Sequence, residues 1–296
     1  MQFNSAVFAI FLPIVFALYW ALAKRSLRAQ NLFVLAASYL FYGWWDWRFL
    51  SLIILSSVVD YVVGLKLGAA DEAKRRQFWL GVSLTVNLGV LGFFKYFDFF
   101  AGSFQHLLES LGFQVHVPTL QIALPVGISF YTFQTLSYTI DIYRRRIEPT
   151  RDAVAFFAFV AFFPQLVAGP IERASTLLPQ FLRPRRFSGA QAVQGLRIML
   201  WGYVKKIVIA DRLAPLVDTV YASPDGATGP TVVLATLAFT LQVYGDFSGY
   251  SDIAIGSGRL FGIDLMTNFR TPYFSTSLRE VWQRWHISLS TWFRDY

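Results

Sequence analysis

Long apolar runs alternate along the chain with short polar or basic segments, and the lengths of the runs predict membrane helices at about 7–23, 31–45, 49–65, 78–97, 120–142 and 231–261. The second run is short for a ~30 Å hydrocarbon core, which needs about 20 helical residues. Basic clusters follow the first, third and fifth runs: Lys24, Arg25 and Arg28; Lys74, Arg75 and Arg76; Arg144, Arg145 and Arg146. The positive-inside rule then places 66–77 and 143–152 in the cytoplasm and the N-terminus outside. Residues 99–120 hold no Lys or Arg, and a short amphipathic helix is expected in that loop.

The run 153–168 breaks the alternation, because both of its flanks are basic. Pro164 and the Gly169-Pro170 pair interrupt it, which predicts a re-entrant or broken segment covered by protein or lining a cavity. Residues 193–217 are apolar but carry Arg197, Lys205, Lys206, Asp211 and Arg212, so they are expected at the interface or along a cavity. Residues 222–230 read as a turn-rich loop.

Composition fixes the class. Of 296 residues, 55% are hydrophobic, 18% aromatic and only 15% charged, against about 25% charged in soluble domains. The chain is therefore read as an all-α polytopic membrane protein forming one domain, 1–296. The net charge of +8 would suggest nucleic acid in a soluble protein. Here the basic residues set topology and meet anionic lipid, and no nucleic-acid partner is expected. With no cysteine, disulfides, thiolate nucleophiles and Cys-ligated metals are excluded. The three histidines, His106, His116 and His286, have no metal-site spacing, and no metal or bound cofactor is expected. The first run lacks a basic n-region and a small-residue cleavage site, so it reads as a retained helix rather than a signal peptide.

Candidate chemistry gathers near the end of the chain. In the last long run Gly245, Ser248, Gly249, Asp252 and Gly256 recur at spacings of 3 or 4 and form a small-residue face, with Asp246 nearby. That face serves either close helix packing, its acid capped by a hydroxyl or a lysine, or the wall of a reaction tunnel. Gly256-Ser257-Gly258 fails the dinucleotide spacing, and 245–249 is not a nucleophile elbow. Ser277 and Glu280 form a capping box, predicting one helix from Ser277 onward that places Trp282, His286, Leu289 and Phe293 on one face, with Trp285 beside it and Arg284 pointing elsewhere. A histidine walled by tryptophan is desolvated, which favours the neutral imidazole that a general base requires. A histidine that merely donates to a carbonyl is the plainer alternative. Tyr131, Gln134, Tyr138 and Asp141 make a polar stripe on the fifth run, read as interhelical hydrogen bonding or the lining of a substrate path.

The stretches 124–141, 163–171, 244–258 and 282–295, above all the run Trp-Gln-Arg-Trp-His-Ile-Ser-Leu-Ser at 282–290, resemble the membrane-bound O-acyltransferases. The nearest branch acetylates alginate and similar exopolysaccharides, and a sister branch D-alanylates teichoic acid. The resemblance implies a ring of tilted transmembrane helices with re-entrant segments around a central tunnel, located in the cell inner membrane. It implies acyl transfer from a cytoplasmic thioester donor, acetyl-CoA or an acyl carrier, to a hydroxyl of an exported polymer, with periplasmic acetyl-relay proteins as partners. Family members carry a second histidine on a later apolar helix, usually treated as the base. His286 matches the earlier one, so the resemblance implies an N-terminal part of a longer enzyme, inactive by itself, with His286 as a supporting histidine. Asp246, Asp252, Ser248, Tyr131, Gln134, Tyr138, Trp282, Trp285 and Arg284 are then the expected tunnel or substrate-binding residues. The rival reading is an ion-coupled transporter using Asp60, Asp141, Asp246 and Asp252. A purely structural membrane scaffold explains the surroundings of His286 least well.

Overall fold

Ser5 and Ser26 each accept a hydrogen bond from the backbone N–H three residues on, and these caps start α1 (Ala6–Ala23) and α2 (Leu27–Gly43). The computed structural model describes residues 1–113, 125–167, 169–223 and 226–296. A 3₁₀ turn at Trp47–Phe49 leads into α3 (Leu50–Gly68). Then follow α4 (Ala73–Ser110), α5 (Ile128–Tyr143), α6 (Ala153–Ala161), α7 (Phe163–Leu166), α8 (Ala174–Leu182) and α9 (Gly189–Tyr203). A π-helix, Val204–Ala210, joins α9 to α10 (Asp211–Ala222). The chain ends with α11 (Gly229–Leu260), a 3₁₀ turn at Pro272–Phe274, α12 (Leu278–Arg284) and α13 (Ile287–Asp295). No strand occurs among the described residues.

Among the described residues, four helices have the length and apolar composition to cross a bilayer: Ala6–Ala23, Trp47–Gly68, Ala73–Ser110 and Gly229–Leu260. At 17 and 16 residues, α2 and α5 fall short of a full span. The separate amphipathic helix expected in 99–120 is replaced, over the described residues, by continuation of α4, which runs 38 residues without a break. No proline stands between 78 and 110, and isolated glycines weaken a helix without ending it. The beginning of the fifth predicted run lies outside the described residues; α5 itself starts after Gly127, whose φ of 79° is left-handed.

The centre of the molecule is the broken segment. From Ala158 through Phe163 the chain is fully buried, as is Leu166. Helix α6 stops at Phe162, before Pro164, and neighbouring helices answer groups left open near the break: Phe163 N–H donates to Ser38 Oγ at 3.1 Å, and Gln134 Nε2 donates to the Phe159 carbonyl at 2.8 Å. Phe8, Phe11, Phe41 and Phe261 pack their rings around Phe163.

Two polar devices lock the first half. Asp60 on α3, fully buried, accepts from Ser83 Oγ at 2.6 Å and from Asn87 Nδ2 at 2.9 Å, while Ser83 meets Thr139 on α5 at 3.0 Å. A buried carboxylate is tolerated when its oxygens are this well supplied. Arg76, on the first turn of α4, donates to the carbonyls of Leu67 and Ala70 and to those of Ile142 and Tyr143, so one guanidinium closes the C-terminal ends of both α3 and α5.

The small-residue face of α11 is a packing face. A Cβ on Gly202 of α9 would lie 2.7 Å from the Gly249 carbonyl, and one on Gly195 2.7 Å from the Gly256 carbonyl. The two backbones therefore touch, with Gly195 against Gly256 and Gly202 against Gly249, an antiparallel pairing. Replacing Gly202 by Leu is expected to force α9 from α11 and lower stability by about 1–3 kcal/mol. The check is the temperature at which the detergent-purified protein loses monodispersity. An unchanged temperature would mean the helices can separate freely.

Candidate functional site

The last 35 residues fold back against α11. At the end of that helix Tyr19 and Trp20 of α1 donate to the carbonyls of Phe261 and Leu260. The chain then returns in an extended stretch: Asn268 Nδ2 donates to Ser251 Oγ at 3.1 Å, and Tyr273 Oη donates to the Thr240 carbonyl at 2.6 Å. Phe247, the residue that faces His286, stands about 20 Å along the axis from Leu260 at ~1.5 Å per residue. The histidine is thus held beside the middle of α11, far from its Leu260 end.

The single helix expected from Ser277 onward is instead two short helices with a corner at His286. Ser277 does cap α12, with its Oγ accepting from Glu280 N–H at 3.2 Å. Trp285 is extended and His286 adopts φ 42° and ψ 52°, a left-handed backbone rare for a non-glycine residue. The cause is a competing partner. Ile287 N–H donates to the Asn268 carbonyl at 2.9 Å and Arg270 N–H to the Arg284 carbonyl at 2.9 Å, so the returning stretch takes the bonds that a continuous helix would use. The shared face therefore does not form: Trp282 and Phe293 are exposed at 62% and 64%, whereas His286 is half-buried. Strain of this kind persists only where surrounding contacts overdetermine it.

Phenylalanines wall His286, not tryptophans. Phe247 meets the imidazole edge-to-face at 4.7 Å between centroids, and Phe269 lies parallel to it at 6.4 Å. Trp285 forms the next layer against Phe269, Tyr244 and Tyr273. Asn268, fully buried, is the organising polar group. Its Oδ1 accepts from Ser288 N–H at 3.3 Å and from Ser288 Oγ at 2.9 Å, and it lies 3.0 Å from His286 Nδ1. A backbone N–H only donates, so the atom it meets is the amide oxygen. Nδ1 must then carry the proton, which leaves the lone pair on Nε2. Burial lowers the imidazole pKa from 6.5 to about 4. The ring is a neutral base with its acceptor nitrogen set by Asn268.

Two residues of the segment preceding α8 hold both arms of this loop. Glu172, almost fully buried, accepts from Met266 N–H at 2.5 Å, and burial pushes its carboxyl up to about 7. Arg173 pairs with Asp295 at 2.8 Å and donates to Thr291 Oγ1 at 3.0 Å. Trp292 Nε1 donates to the Phe133 carbonyl, and Tyr296 Oη donates to Asp141 at 2.9 Å, which fixes α13 against α5.

The other expected residues fall into three groups. Asp246 and Asp252 are ion-paired, Lys206 Nζ lying 2.5 Å from Asp246 and Lys205 Nζ 2.5 Å from Asp252, and Ser248 is buried between them on α11. The π-helix puts consecutive lysines on either flank of α11, with Gly249 seated against the backbone between them. Tyr131, Gln134 and Tyr138 are buried away from His286: Gln134 bonds α6, and Tyr138 Oη accepts from Thr150 N–H at 3.1 Å. Among the described residues, the Tyr131 hydroxyl and Gln134 Oε1 have no hydrogen-bond partner. Arg284 pairs with Glu280 at 2.5 Å on α12. Of the remaining histidines, His106 is exposed on α4 and His116 lies outside the described residues.

The architecture defines a class: a helical polytopic membrane protein with a desolvated neutral histidine held beside its last long helix by a buried amide. The model of the membrane-bound O-acyltransferase family matches residues 39–296, and the chain belongs to that family. It is 46% identical, over its whole length, to 58% of the protein named Probable alginate O-acetylase AlgI of Azotobacter vinelandii. It is 35% identical, again over its whole length, to 61% of the Peptidoglycan O-acetyltransferase of Helicobacter pylori. A Teichoic acid D-alanyltransferase of Streptococcus thermophilus is 30% identical over 58% of this chain and 42% of its own length. The chain thus spans about three fifths of the curated relatives it matches over its full length.

Proposed function

We propose that the whole protein transfers an acetyl group from a thioester donor, presented at the cytoplasmic face of the inner membrane, to hydroxyls of an exported polysaccharide of the alginate kind. The observation that carries this reading is His286, neutral and oriented by Asn268 inside an aromatic wall. The acceptor oxygen attacks the thioester carbonyl, the C–O bond forms, the C–S bond breaks, and the hydroxyl proton passes through a histidine to the departing thiolate. His286 takes or relays that proton, or sets the group that does. The family resemblance expects a further histidine beyond Tyr296 as the main base. Acetyl-CoA or an acyl carrier is the donor, and periplasmic relay proteins carry the acetyl group onward. Strong identity to the AlgI protein favours the acetyl reading over D-alanyl transfer. Membranes containing the full protein and its periplasmic relay partners, supplied with labelled acetyl-CoA and alginate, should incorporate label into the polymer. Absence of incorporation with every thioester donor would overturn the reading.

The topology that goes with this reading, taken from the basic bias of alternate loops, is N-terminus outside, with 66–77 and 143–152 in the cytoplasm. Single cysteines at Lys74 and Arg145 are expected to resist an impermeant maleimide applied from outside, and the absence of native cysteine removes any background. Reporters joined after Thr150 and after Arg186 should report the same side, because 153–170 turns back. Labelling from outside, or reporters on opposite sides, would reverse this arrangement.

A further inference from the structure

Where α9 runs beside the last turns of α11, the two helices and the returning stretch close a cleft of about 350 Å³ whose lining includes Gln194, Arg197, Trp201, Asp252, Arg259 and Thr267. The pairing of Gly195 with Gly256 puts this cleft at the Leu260 end of α11. That end is tied to α1 just ahead of Lys24, Arg25 and Arg28, the chain's first basic cluster. The carboxylates near the cleft are already engaged: Asp252 pairs with Lys205 at 2.5 Å, and Asp264 lies 3.4 Å from Arg259. Arg197 is exposed and has neither an ion pair nor a hydrogen bond among the described residues. These five charged groups leave one positive charge in excess.

The surroundings of the cleft are apolar. On the same helix as Arg197, Val193, Leu196, Leu200 and Trp201 are exposed at 50%, 54%, 66% and 59%. Such residues on a membrane protein meet acyl chains, and an indole at this level suits the boundary between chains and headgroups. Two arginines beside an apolar face are equipped for a phosphate that arrives with hydrocarbon attached, since guanidinium groups grip phosphate oxygens in pairs.

We propose that this cleft binds the phosphate of an anionic membrane phospholipid, gripped by Arg197 and Arg259, with the acyl chains lying along the exposed face of α9. Soluble coenzyme A shares the phosphate chemistry but not the need for that apolar face. The site stands independently of acyl transfer, because binding is read without any donor or acceptor.

Native mass spectrometry of the full chain in detergent, with added phosphatidylglycerol or phosphatidylcholine, tests the assignment. Phosphatidylglycerol should remain bound in preference, and its apparent affinity should fall about tenfold or more in the Arg197→Gln, Arg259→Gln double variant. Arg197→Gln alone removes a side chain with no ion pair or hydrogen bond among the described residues, so its folding should be normal and its loss of lipid partial. Arg75→Gln, elsewhere on the surface, should retain the lipid. Equal retention of both lipids, or unchanged retention in the double variant, would overturn the proposal. Displacement of phosphatidylglycerol by millimolar coenzyme A, with no effect from added lipid, would instead assign the cleft to a soluble phosphate donor and equally overturn it.

Discussion

Replacing His286 by alanine in the full-length protein is expected to reduce acetyl transfer by on the order of a hundredfold or more while expression and insertion stay normal. The imidazole lies against Phe247 and Phe269 with its Nδ1 proton committed to Asn268, so removal takes away the neutral acceptor nitrogen and little packing. The pH profile gives a second readout. Burial lowers the pKa of His286 to about 4, below the ordinary 6.5, so the ring stays neutral throughout the physiological range. An acidic limb arising from this residue should fall near 4 and be absent near 6.5. The same shift sets a stability trend: between those values the unfolded chain binds the proton and the folded chain does not, so the fold weakens as pH drops from 6.5 toward 4. His106→Ala and His116→Ala should be near neutral. Full transfer by His286→Ala would remove the histidine from the chemistry. Transfer by residues 1–296 alone would show that a further histidine is dispensable.

Asn268→Ala is expected to be nearly as damaging. The substitution strips a common acceptor from the Ser288 N–H, the Ser288 hydroxyl and His286 Nδ1, and a donor from Ser251. Each buried group left unpaired costs about 1–3 kcal/mol. The left-handed corner at His286 loses one of the contacts that impose it, and the imidazole is free to change tautomer. Loss of turnover by about tenfold to a hundredfold, with a smaller change in KM, is the outcome to look for in steady-state kinetics on membranes. Asn268→Asp keeps the acceptor but adds a negative charge beside the ring, so it should move the acidic limb upward while restoring part of the rate. A rate and limb unchanged in both variants would mean that the amide does not set the histidine.

The membrane character, the broken 153–170 segment and the close packing of α11 were legible because each has a local cause: length of apolar run, proline position, small residues at helical spacing. The sequence offers a hydroxyl or a lysine as the cap for the acid on α11 but does not say which, since no pattern in 193–217 tells which distant acid Lys205 or Lys206 will meet. The corner at His286 was illegible for the same reason. Ser277 and Glu280 correctly mark a helix start, but what stops that helix is a carbonyl on Asn268, and nothing between 277 and 290 announces it. Asn268 and Glu172 escaped notice because a lone amide or carboxyl in a loop has no periodicity. Tryptophan density near His286 suggested the wrong wall, since Phe247 and Phe269 come from other parts of the chain.

The order of the ionic partners has a consequence for biogenesis. Among the four span-length helices α11 is the least apolar, and it carries two aspartates. An acid at the centre of an isolated helix resists transfer into lipid by about 2.5–3.5 kcal/mol. Lys205 and Lys206 precede those aspartates in the chain, so a ribosome delivers the countercharges before the acids emerge. With α9 already waiting, α11 can leave the translocon sideways onto a prepared partner instead of facing lipid alone. Insertion of this helix is then a pairing event, and exchanging Lys205 with Asp252 would reverse the schedule while leaving that ion pair intact.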